Sequence, residues 1–558
     1  MKNTINIITS LVFIAILNSC SLDEVSYTEK EKHEYMRNAA EAETVLLGVY
    51  ENLTEEAMYG YHLSLYFTLG TDQAKVSGGT TDSWRDVPCN LYTSSAAFVQ
   101  NTWAALYNAV YDANDFIERL SVAVENFTDS DKDKAAVYMA EARTLRALFY
   151  FELVRWYGNV VLMKTTAESR QHPSTFVQAP PAEVYEYIEQ DLEYAIKTLP
   201  YASEDTYRSH NAFRISKAGA IGLLTKVYAT WAGYPVRDES KWHKAVATAK
   251  PLVESGKHGL IEDFEQLWYN ASNSLWDPTE SLIEVSFYAA IISGGDPVGR
   301  IGKWNGVQAE QIDEDYIRIN SYWSVVPTFI SGWKDYYKDD EDKRWELSFA
   351  DYQYDSKQNM FAIWNDKNKE TGEIVKEHWF EEDMNKESGR SNKYNDALRP
   401  AKWDLIKYAQ NHISDANYTN TNWHILRYSD VLLLYAEALN ELNRGPVEDA
   451  YEALNMVRRR AGLSDVKTGL SYEEFQQTVR DERSYELCFE GHRKQDLIRW
   501  GIYYETIKKT YDDLLGWHDD AVDYYLVGDN TVKGKHELLP IPQRDLDLMK
   551  QCKQNPNW

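Results

Sequence analysis

The chain has 558 residues, of which 44% are hydrophobic and 26% are charged, a composition typical of globular proteins rather than disordered ones. Its formal net charge of -28 argues against nucleic acids and anionic lipid surfaces as partners and favours neutral or cationic ligands. One compact core rarely organises more than roughly 250–300 residues, so we expect several domains or a repeat architecture. The cysteines beyond Cys20 show no Cys-x-x-Cys spacing and predict neither a disulfide framework nor a zinc site.

The first predicted element is an N-terminal export signal. An apolar run over residues 5–17 is too short to span a bilayer, which needs about 20 apolar residues. The run ends in Leu-Asn-Ser-Cys, which resembles the bacterial lipobox, whose cysteine is lipidated. The sequence therefore predicts a lipoprotein signal peptide over residues 1–19, lipidation of Cys20 and a lipid-anchored linker over residues 20–45. A plain signal peptide with an incidental cysteine is the alternative.

Residues 46–271 form the first of two regions with helical periodicity, because apolar residues recur at spacings of three and four. Gly158 and Gly256 end two of the apolar runs, as glycines at helix C-termini do. Small residues recur where paired helices would cross, which resembles tetratricopeptide units, and such an array provides a stiff surface rather than chemistry. The predicted apolar faces contain Trp103, Leu106 and Val110; Ala142, Leu145, Leu153 and Trp156; Val184, Ile188 and Leu192; the run Ala218 to Ala232; and Trp242, Ala245 and Ala249.

Residues 272–428 show little sustained periodicity and predict long loops with short strands. The segment from Trp304 to Trp423 holds eight of the 18 tryptophans, although it is under a quarter of the chain. Loops rarely carry large aromatic residues, so this enrichment predicts a binding surface on loops that a rigid scaffold supports. A second such loop is predicted over residues 70–95.

Aromatic residues of these two segments predict the ligand site, because flat rings with a polar edge can stack on the faces of sugars. Trp84 is expected to be a stacking platform, with Arg85 and Asp72 as its polar partners. The predicted ligand-binding residues are Asp72, Trp84, Arg85, Tyr92, Trp304, Tyr322 and Trp323. The tryptophans that fall in periodic helices are predicted to be core residues, namely Trp103, Trp156, Trp423 and Trp500.

Helical periodicity returns in residues 429–558, where a Gly-Pro break separates two predicted helices. The densest charged motif of the chain lies here, from Arg480 to Arg493, with opposite charges three and four residues apart. Such spacing forms ion pairs on a helix face or a partly buried network. A catalytic role for Glu486 or Glu490 is the alternative, and the structural role is favoured.

The sequence contains none of the common motifs of metal, nucleotide or serine-hydrolase sites. There is no His-Glu-x-x-His, no phosphate-binding loop ending in Gly-Lys-Ser/Thr, no Gly-x-Gly-x-x-Gly after a strand and no Gly-x-Ser-x-Gly. We therefore predict no catalytic residue, no metal and no cofactor. A glycosidase needs only two carboxylates across the scissile bond, and 87 acidic residues leave that alternative open.

Several segments together resemble one family. The stretch Arg480–Gly501 resembles the C-terminal signature of the SusD/RagB family, whose members are outer-membrane lipoproteins of Bacteroidetes. The segments Glu141–Gly158 and Leu426–Glu441 and the tail Leu538–Pro542 are similar to other parts of the family. The resemblance implies a mainly α fold, with tetratricopeptide-like helix pairs forming a helical body, an irregular, loop-rich ligand-facing region and minor short strands.

The resemblance also implies a domain order and a function. We expect an N-terminal helical region over residues 46–271, a loop-rich ligand-facing region over 272–428 and a C-terminal helical region over 429–558. The implied function is a non-catalytic, surface-exposed lipoprotein of the outer membrane that binds a glycan and delivers it to a SusC-like TonB-dependent transporter. The alternatives are the same fold binding peptides, a surface glycoside hydrolase, and a structural lid without a ligand of its own.

Overall fold

The structure is a computed structural model that describes residues 35–77, 83–210, 213–288, 298–311, 318–337, 341–350, 352–357, 360–362, 398–410, 415–515 and 525–558. The predicted signal peptide over residues 1–19, the lipidation site Cys20 and the linker before residue 35 lie outside the described residues. Among the described helices, none is long and apolar enough to cross a bilayer.

The N-terminal half is a series of helices, and the long ones between residues 97 and 254 lie where the apolar periodicity predicts them. They are α1 (Ala39–Glu51), α2 (Ala97–Ala123), α3 (Asp129–Tyr157), α4 (Pro181–Thr198), α5 (Lys217–Ala232), α6 (Lys241–Glu254) and α7 (Phe264–Ser272). Consecutive helices pack together, α2 on α3, α3 on α4, and α5 on α6. The mainly α prediction is therefore confirmed.

Capping side chains and a glycine set the ends of these helices. The Asn38 side chain accepts a hydrogen bond from the Glu41 N–H at 3.0 Å, so α1 begins before the predicted linker range ends. The Thr128 hydroxyl caps α3 in the same way. Helix α3 ends at Gly158, whose φ of 70° is open to glycine but strained for other residues.

The remaining helices belong to the middle and C-terminal regions. The longer ones are α8 (Pro327–Tyr336), α9 (Tyr428–Asn443), α10 (Glu448–Arg460), α11 (Tyr472–Glu486), α12 (Arg493–Arg499) and α13 (Tyr503–Leu515). Single helical turns cover Thr166–Ser169, Trp345–Ser348, Leu405–Tyr408, Leu526–Asn530 and Gln543–Leu548, and Glu56–Gly60 and His62–Tyr66 are π-helical.

The described strands are short and form antiparallel pairs. The pairs are β1 (Ala74–Val76) with β5 (Trp323–Val325), β2 (Val160–Val161) with β3 (Gln178–Ala179), β4 (Ser281–Val285) with β10 (Trp423–Arg427), β6 (Phe349–Ala350) with β9 (Arg399–Pro400), and β7 (Tyr352–Tyr354) with β8 (Met360–Ala362). Strands β4 and β10 lie near the two ends of the loop-rich region, so their pairing closes this region against the helices.

One apolar core runs through both helical regions. The largest cluster of buried apolar residues extends from Met36 to Met549. Helix α5 packs closely against β10 and α9. Gly222 allows this close approach, because a Cβ at this position would lie only 2.6 Å from Leu426 and 2.9 Å from Val431. The boundaries of the predicted regions stay predictions.

Most of the described tryptophans are buried. The core prediction is confirmed for Trp103, Trp156 and Trp423, which are at most 4% exposed, whereas Trp500 is half-buried. In the middle region the buried ones are Trp323, Trp333, Trp403 and Trp423. The tryptophan enrichment of this region therefore builds core more than surface, because irregular loops need large rings to fill the space that regular packing does not.

The charged motif that begins at Arg480 forms a buried ionic network. Glu482 accepts hydrogen bonds from Arg344 at 2.7 Å and from Arg458 at 3.1 Å. Glu486 pairs with Arg344, Arg427 and Arg460, and all of these side chains are at most 4% exposed. The predicted structural role of Glu486 is therefore confirmed.

Glu490 completes the network and shows where its partners come from. It accepts from Arg427 at 2.7 Å and from Lys402 at 2.8 Å. These partners are distant in sequence and not the neighbours three or four residues away. Glu490 does not pair with Arg493, which instead binds Asp72. Its burial confirms the structural role of Glu490 as well.

Candidate functional site

The pairing of β1 with β5 brings the two predicted site segments together. Val76 lies opposite Trp323, and just beyond this pair the Ser77 N–H donates to the Tyr322 carbonyl at 2.8 Å. The Tyr322 N–H in turn donates to the Trp304 carbonyl at 2.6 Å. Backbone hydrogen bonds therefore hold Tyr322 between the loop that carries Trp84 and the turn that carries Trp304.

The side chains of Trp84, Trp304 and Tyr322 form a half-buried group of rings, which we call the aromatic cluster. The ring centroids of Trp84 and Tyr322 lie 4.8 Å apart, those of Trp84 and Trp304 5.3 Å, and those of Trp304 and Tyr322 4.6 Å. The interplanar angles of 55° to 76° are tilted or edge-to-face, as aromatic pairs prefer. Each ring fixes the others and retains some exposed surface.

Arg85 extends the cluster with a charged edge. Its guanidinium carbon lies 4.0 Å from the centroid of the Trp84 ring, within the range of a cation–π contact. Its Nε donates to the Ser77 carbonyl at 3.0 Å. Arg85 therefore holds the loop and the Trp84 ring in place, as well as placing a hydrogen-bond donor beside the ring.

Arg300 plays a similar part on the other side of the cluster. Its guanidinium carbon lies 4.5 Å from the Trp304 ring, 4.8 Å from the Tyr61 ring and 5.2 Å from the Tyr418 ring. It donates to the Glu56 carboxylate at 2.6 Å, and the Tyr418 hydroxyl donates to the same carboxylate at 3.0 Å. Burial and the Glu56 charge raise the pKa of Tyr418, although Arg300 opposes the shift, so the phenol remains a donor at neutral pH.

A cavity of 590 Å³ opens beside Glu56 and Tyr418. Three further carboxylates line it, those of Glu51, Glu55 and Asp112. Burial raises the pKa of Glu55, and the charges of Asp112 and Glu51 add to the shift. Within the described residues, no group of three or more His, Cys, Asp or Glu side chains could hold a metal ion. The cavity therefore offers acceptors for hydroxyl or cationic groups.

Of the predicted site residues, the structure brings Trp84, Arg85, Trp304 and Tyr322 together and places the others elsewhere. Trp323 is 4% exposed and faces the core, because neighbouring side chains in a strand point to opposite faces.

Tyr92 is also 4% exposed. Its ring packs against Trp558 at 4.9 Å and His536 at 5.9 Å, so it fixes the C-terminal tail. The structure thus places Tyr92 in the core and not on the ligand-facing surface.

Asp72 has a structural partner. Its carboxylate accepts two hydrogen bonds from Arg493, at 2.9 Å from Nε and 2.7 Å from Nη2, and each side chain is 16% exposed. The next residue, Gln73, donates to the Ser484 carbonyl at 2.8 Å. The turn before β1 is therefore attached to the charged motif, and Asp72 supports the site without belonging to the aromatic cluster.

We expect Asp72→Ala to lower the free energy of unfolding by about 1.5–3 kcal/mol, the contribution typical of hydrogen bonds to charged groups. Urea denaturation of the purified protein measures this change. Asp86→Ala is the matched control, because Asp86 lies on the same loop and is not bonded to Arg493. Equal stability of the two variants would contradict the supporting role of Asp72.

Comparison with known proteins decides the family. A sequence model of the SusD family matches residues 300–558, and a model described as starch-binding and associating with the outer membrane matches residues 22–229. The crystal structure of a SusD homolog from Bacteroides thetaiotaomicron is 50% identical, covers 95% of this chain and 99% of its own, and superposes with a TM-score of 0.89. The chain belongs to the SusD family.

More distant SusD relatives share the fold. A SusD-like protein of Formosa agariphila is 26% identical over 506 residues, which are 88% of this chain and 90% of the relative. The structure of a laminarin-binding SusD-like protein is 23% identical, covers 93% of this chain and all of its own, and has a TM-score of 0.68. These matches extend over most of the chain.

Sequence reasoning missed Arg300, Glu56, Tyr61 and Tyr418 in this SusD-family chain. Arg300 and Trp304 are joined by a hydrogen bond from the Trp304 N–H to the Arg300 carbonyl at 3.1 Å, within one turn. A cation four residues before an exposed tryptophan could have suggested a cation–π contact. The other three residues come from distant segments, and no local pattern marks them.

Proposed function

We propose that this chain is a non-catalytic, surface-exposed lipoprotein of the outer membrane that binds a glycan and delivers it to a SusC-like TonB-dependent transporter. The observation that carries the proposal is the aromatic cluster of Trp84, Trp304 and Tyr322 between Arg85 and Arg300. Sugar rings present flat C–H faces to aromatic rings and hydroxyls to charged groups, and this arrangement supplies both.

A family model and one solved relative support a glycan as the ligand. The model that matches residues 22–229 is described as starch-binding, and the solved relative of the same fold binds laminarin. Starch and laminarin are both neutral polysaccharides. A neutral ligand agrees with this chain as well, because its net charge of -28 would repel an anionic polysaccharide.

One carboxylate, Glu56, supports the groups around the cluster. Glu56 accepts hydrogen bonds from Arg300 and from the Tyr418 hydroxyl. Glu56 is therefore suited to position Arg300 and the rings.

The family supplies the transporter and anchor parts of the proposal. Lipidation at Cys20 would hold the protein at the outer membrane, and the residues after it would be the tether. The partner prediction is tested by purifying the native protein with its lipid anchor from outer membranes. Copurification of a TonB-dependent barrel is expected, and repeated isolation without any barrel would contradict it.

A polysaccharide panel tests the glycan ligand. We expect native gels that contain amylopectin, laminarin, xylan, arabinan or galactan to retard the wild-type protein on at least one polysaccharide, relative to serum albumin. Chromatography of the same mixtures should show no released oligosaccharide. If no polysaccharide retards the protein and it binds members of a peptide library instead, the peptide alternative is favoured. If oligosaccharide is released, a hydrolase is favoured.

A further inference from the structure

A second cavity with aromatic walls lies near the acidic one. It has a volume of 360 Å³, and its apolar lining consists of Tyr50, Leu53, Phe213, Trp276 and Val285. The rings of Phe213 and Trp276 lie 5.4 Å apart at an angle of 57°, and both are half-buried. This partly exposed Trp–Phe pair on the wall of a cavity leaves ring surface that a ligand can cover.

The two cavities are adjacent, and side-chain contacts connect the larger one to the aromatic cluster. Glu51 and Thr54 line both cavities, so they form the boundary between them. The larger cavity reaches Tyr418, whose ring contacts Arg300, and Arg300 contacts Trp304. A series of contacts and shared lining residues therefore connects the aromatic cluster, through the acidic cavity, to the cavity at Trp276.

We propose that the cavity at Trp276 and Phe213 is a second sugar-binding subsite, which takes a further unit of the same glycan chain that the aromatic cluster binds. The Trp276 ring supplies a stacking face, and the exposed Glu51 carboxylate accepts hydrogen bonds from sugar hydroxyls between the two subsites. This inference rests on the proposed glycan-binding function and adds a preference for long chains to it.

The acidic cavity restricts the charge of the glycan units that lie between the two subsites. Glu51, Glu55 and Asp112 face this space. Uronate or sulfate groups would meet these carboxylates at short range and be repelled. The glycan units that pass here must therefore be uncharged or carry an amine.

The test is the dependence of affinity on chain length. Calorimetry measures binding of a series from disaccharide to octasaccharide, prepared from whichever polysaccharide of the panel retards the wild type. In the wild type, affinity should rise with length and then level off once both subsites are filled. Trp276→Ala should bind the long members about tenfold more weakly, equivalent to about 1.4 kcal/mol, and the disaccharide equally well.

Two further variants control this experiment. Leu275→Ala changes a residue on the same loop that is 48% exposed and does not line the cavity, so it should bind like the wild type. Glu51→Gln changes an exposed side chain with little risk to folding and should weaken only the long members. Circular dichroism and the unfolding midpoint confirm that each variant is folded.

The outcomes separate this inference from the proposed function. If the wild type binds and Trp276→Ala has the same affinity at every chain length, the proposal of a second subsite is wrong and the proposal of glycan binding stands. If Trp276→Ala weakens disaccharide and octasaccharide alike, the cavity is no separate subsite. If the wild type binds no glycan of the panel, both proposals fail together.

Discussion

Glu486→Ala should lose about 3–5 kcal/mol of its free energy of unfolding, the cost typical of removing one partner from a buried ion pair. The Glu486 carboxylate lies among the guanidinium groups of Arg344, Arg427 and Arg460, and its side chain is fully buried. Burial alone would raise the pKa of Glu486, but Arg460, Arg427 and Arg344 together hold it well below its usual value. Removing the carboxylate leaves three buried cations with too few partners.

A surface ion pair is the control for this variant. Glu452 pairs with Arg459 at 2.8 Å, but their side chains are 56% and 47% exposed. Glu452→Ala should therefore cost at most about 1 kcal/mol. Urea denaturation followed by tryptophan fluorescence measures both variants. Similar losses for Glu486→Ala and Glu452→Ala would mean that the network contributes no more than a surface pair does.

The network links the site to the helical body. Arg493 lies at the end of the charged motif and holds Asp72, and Ser484 within the motif accepts from Gln73. Both contacts fix the turn that leads into β1, and β1 in turn positions Ser77 against Tyr322. We infer that the family signature is a scaffold for the turn before β1 and the loop that carries Trp84, which gives its dense charge a structural reason.

The helices were predictable because their signals are local. Apolar residues recur within each helix, and the glycine at residue 158 predicts a helix end. In the structure Gly158 has a φ of 70°, a conformation that favours glycine over other residues. The charged motif predicts that an ionic network exists but not which residues form it. Its ion pairs join segments that are far apart in sequence, such as those of Arg344 and Glu482. Charge spacing within one helix carries no information about these partners.

The site was predictable in composition and only partly in position. Trp84, Trp304 and Tyr322 follow from the rule that exposed aromatics on loops bind ligands, and the structure places them together. The sequence predicts both Tyr322 and Trp323 as ligand-binding residues, but adjacent residues in a strand face opposite sides, so only one of the two can face the ligand. A strand of three residues is too short for its register to be seen in sequence. Tyr92 shows that residue type alone does not separate a stacking ring from a core ring.

Trp304→Ala should weaken glycan binding by about 2–3 kcal/mol, the size of effect expected at the centre of a binding site. This loss corresponds to an affinity between about 30-fold and 140-fold lower. Trp304 lies at the centre because its ring contacts Trp84, Tyr322 and Tyr61 and supports the guanidinium of Arg300. Removing it takes away one stacking face and loosens the groups on either side. Calorimetry with the polysaccharide that binds the wild type measures the change.

Two matched variants separate binding from stability. Trp304→Phe keeps an aromatic face and should recover part of the affinity. Trp345→Ala removes a half-buried tryptophan of the same region that packs on Trp333 and Phe349 and has no ring contact with the aromatic cluster. It should cost stability and leave affinity unchanged. If Trp304→Ala and Trp345→Ala bind equally well, the aromatic cluster is not where the glycan binds.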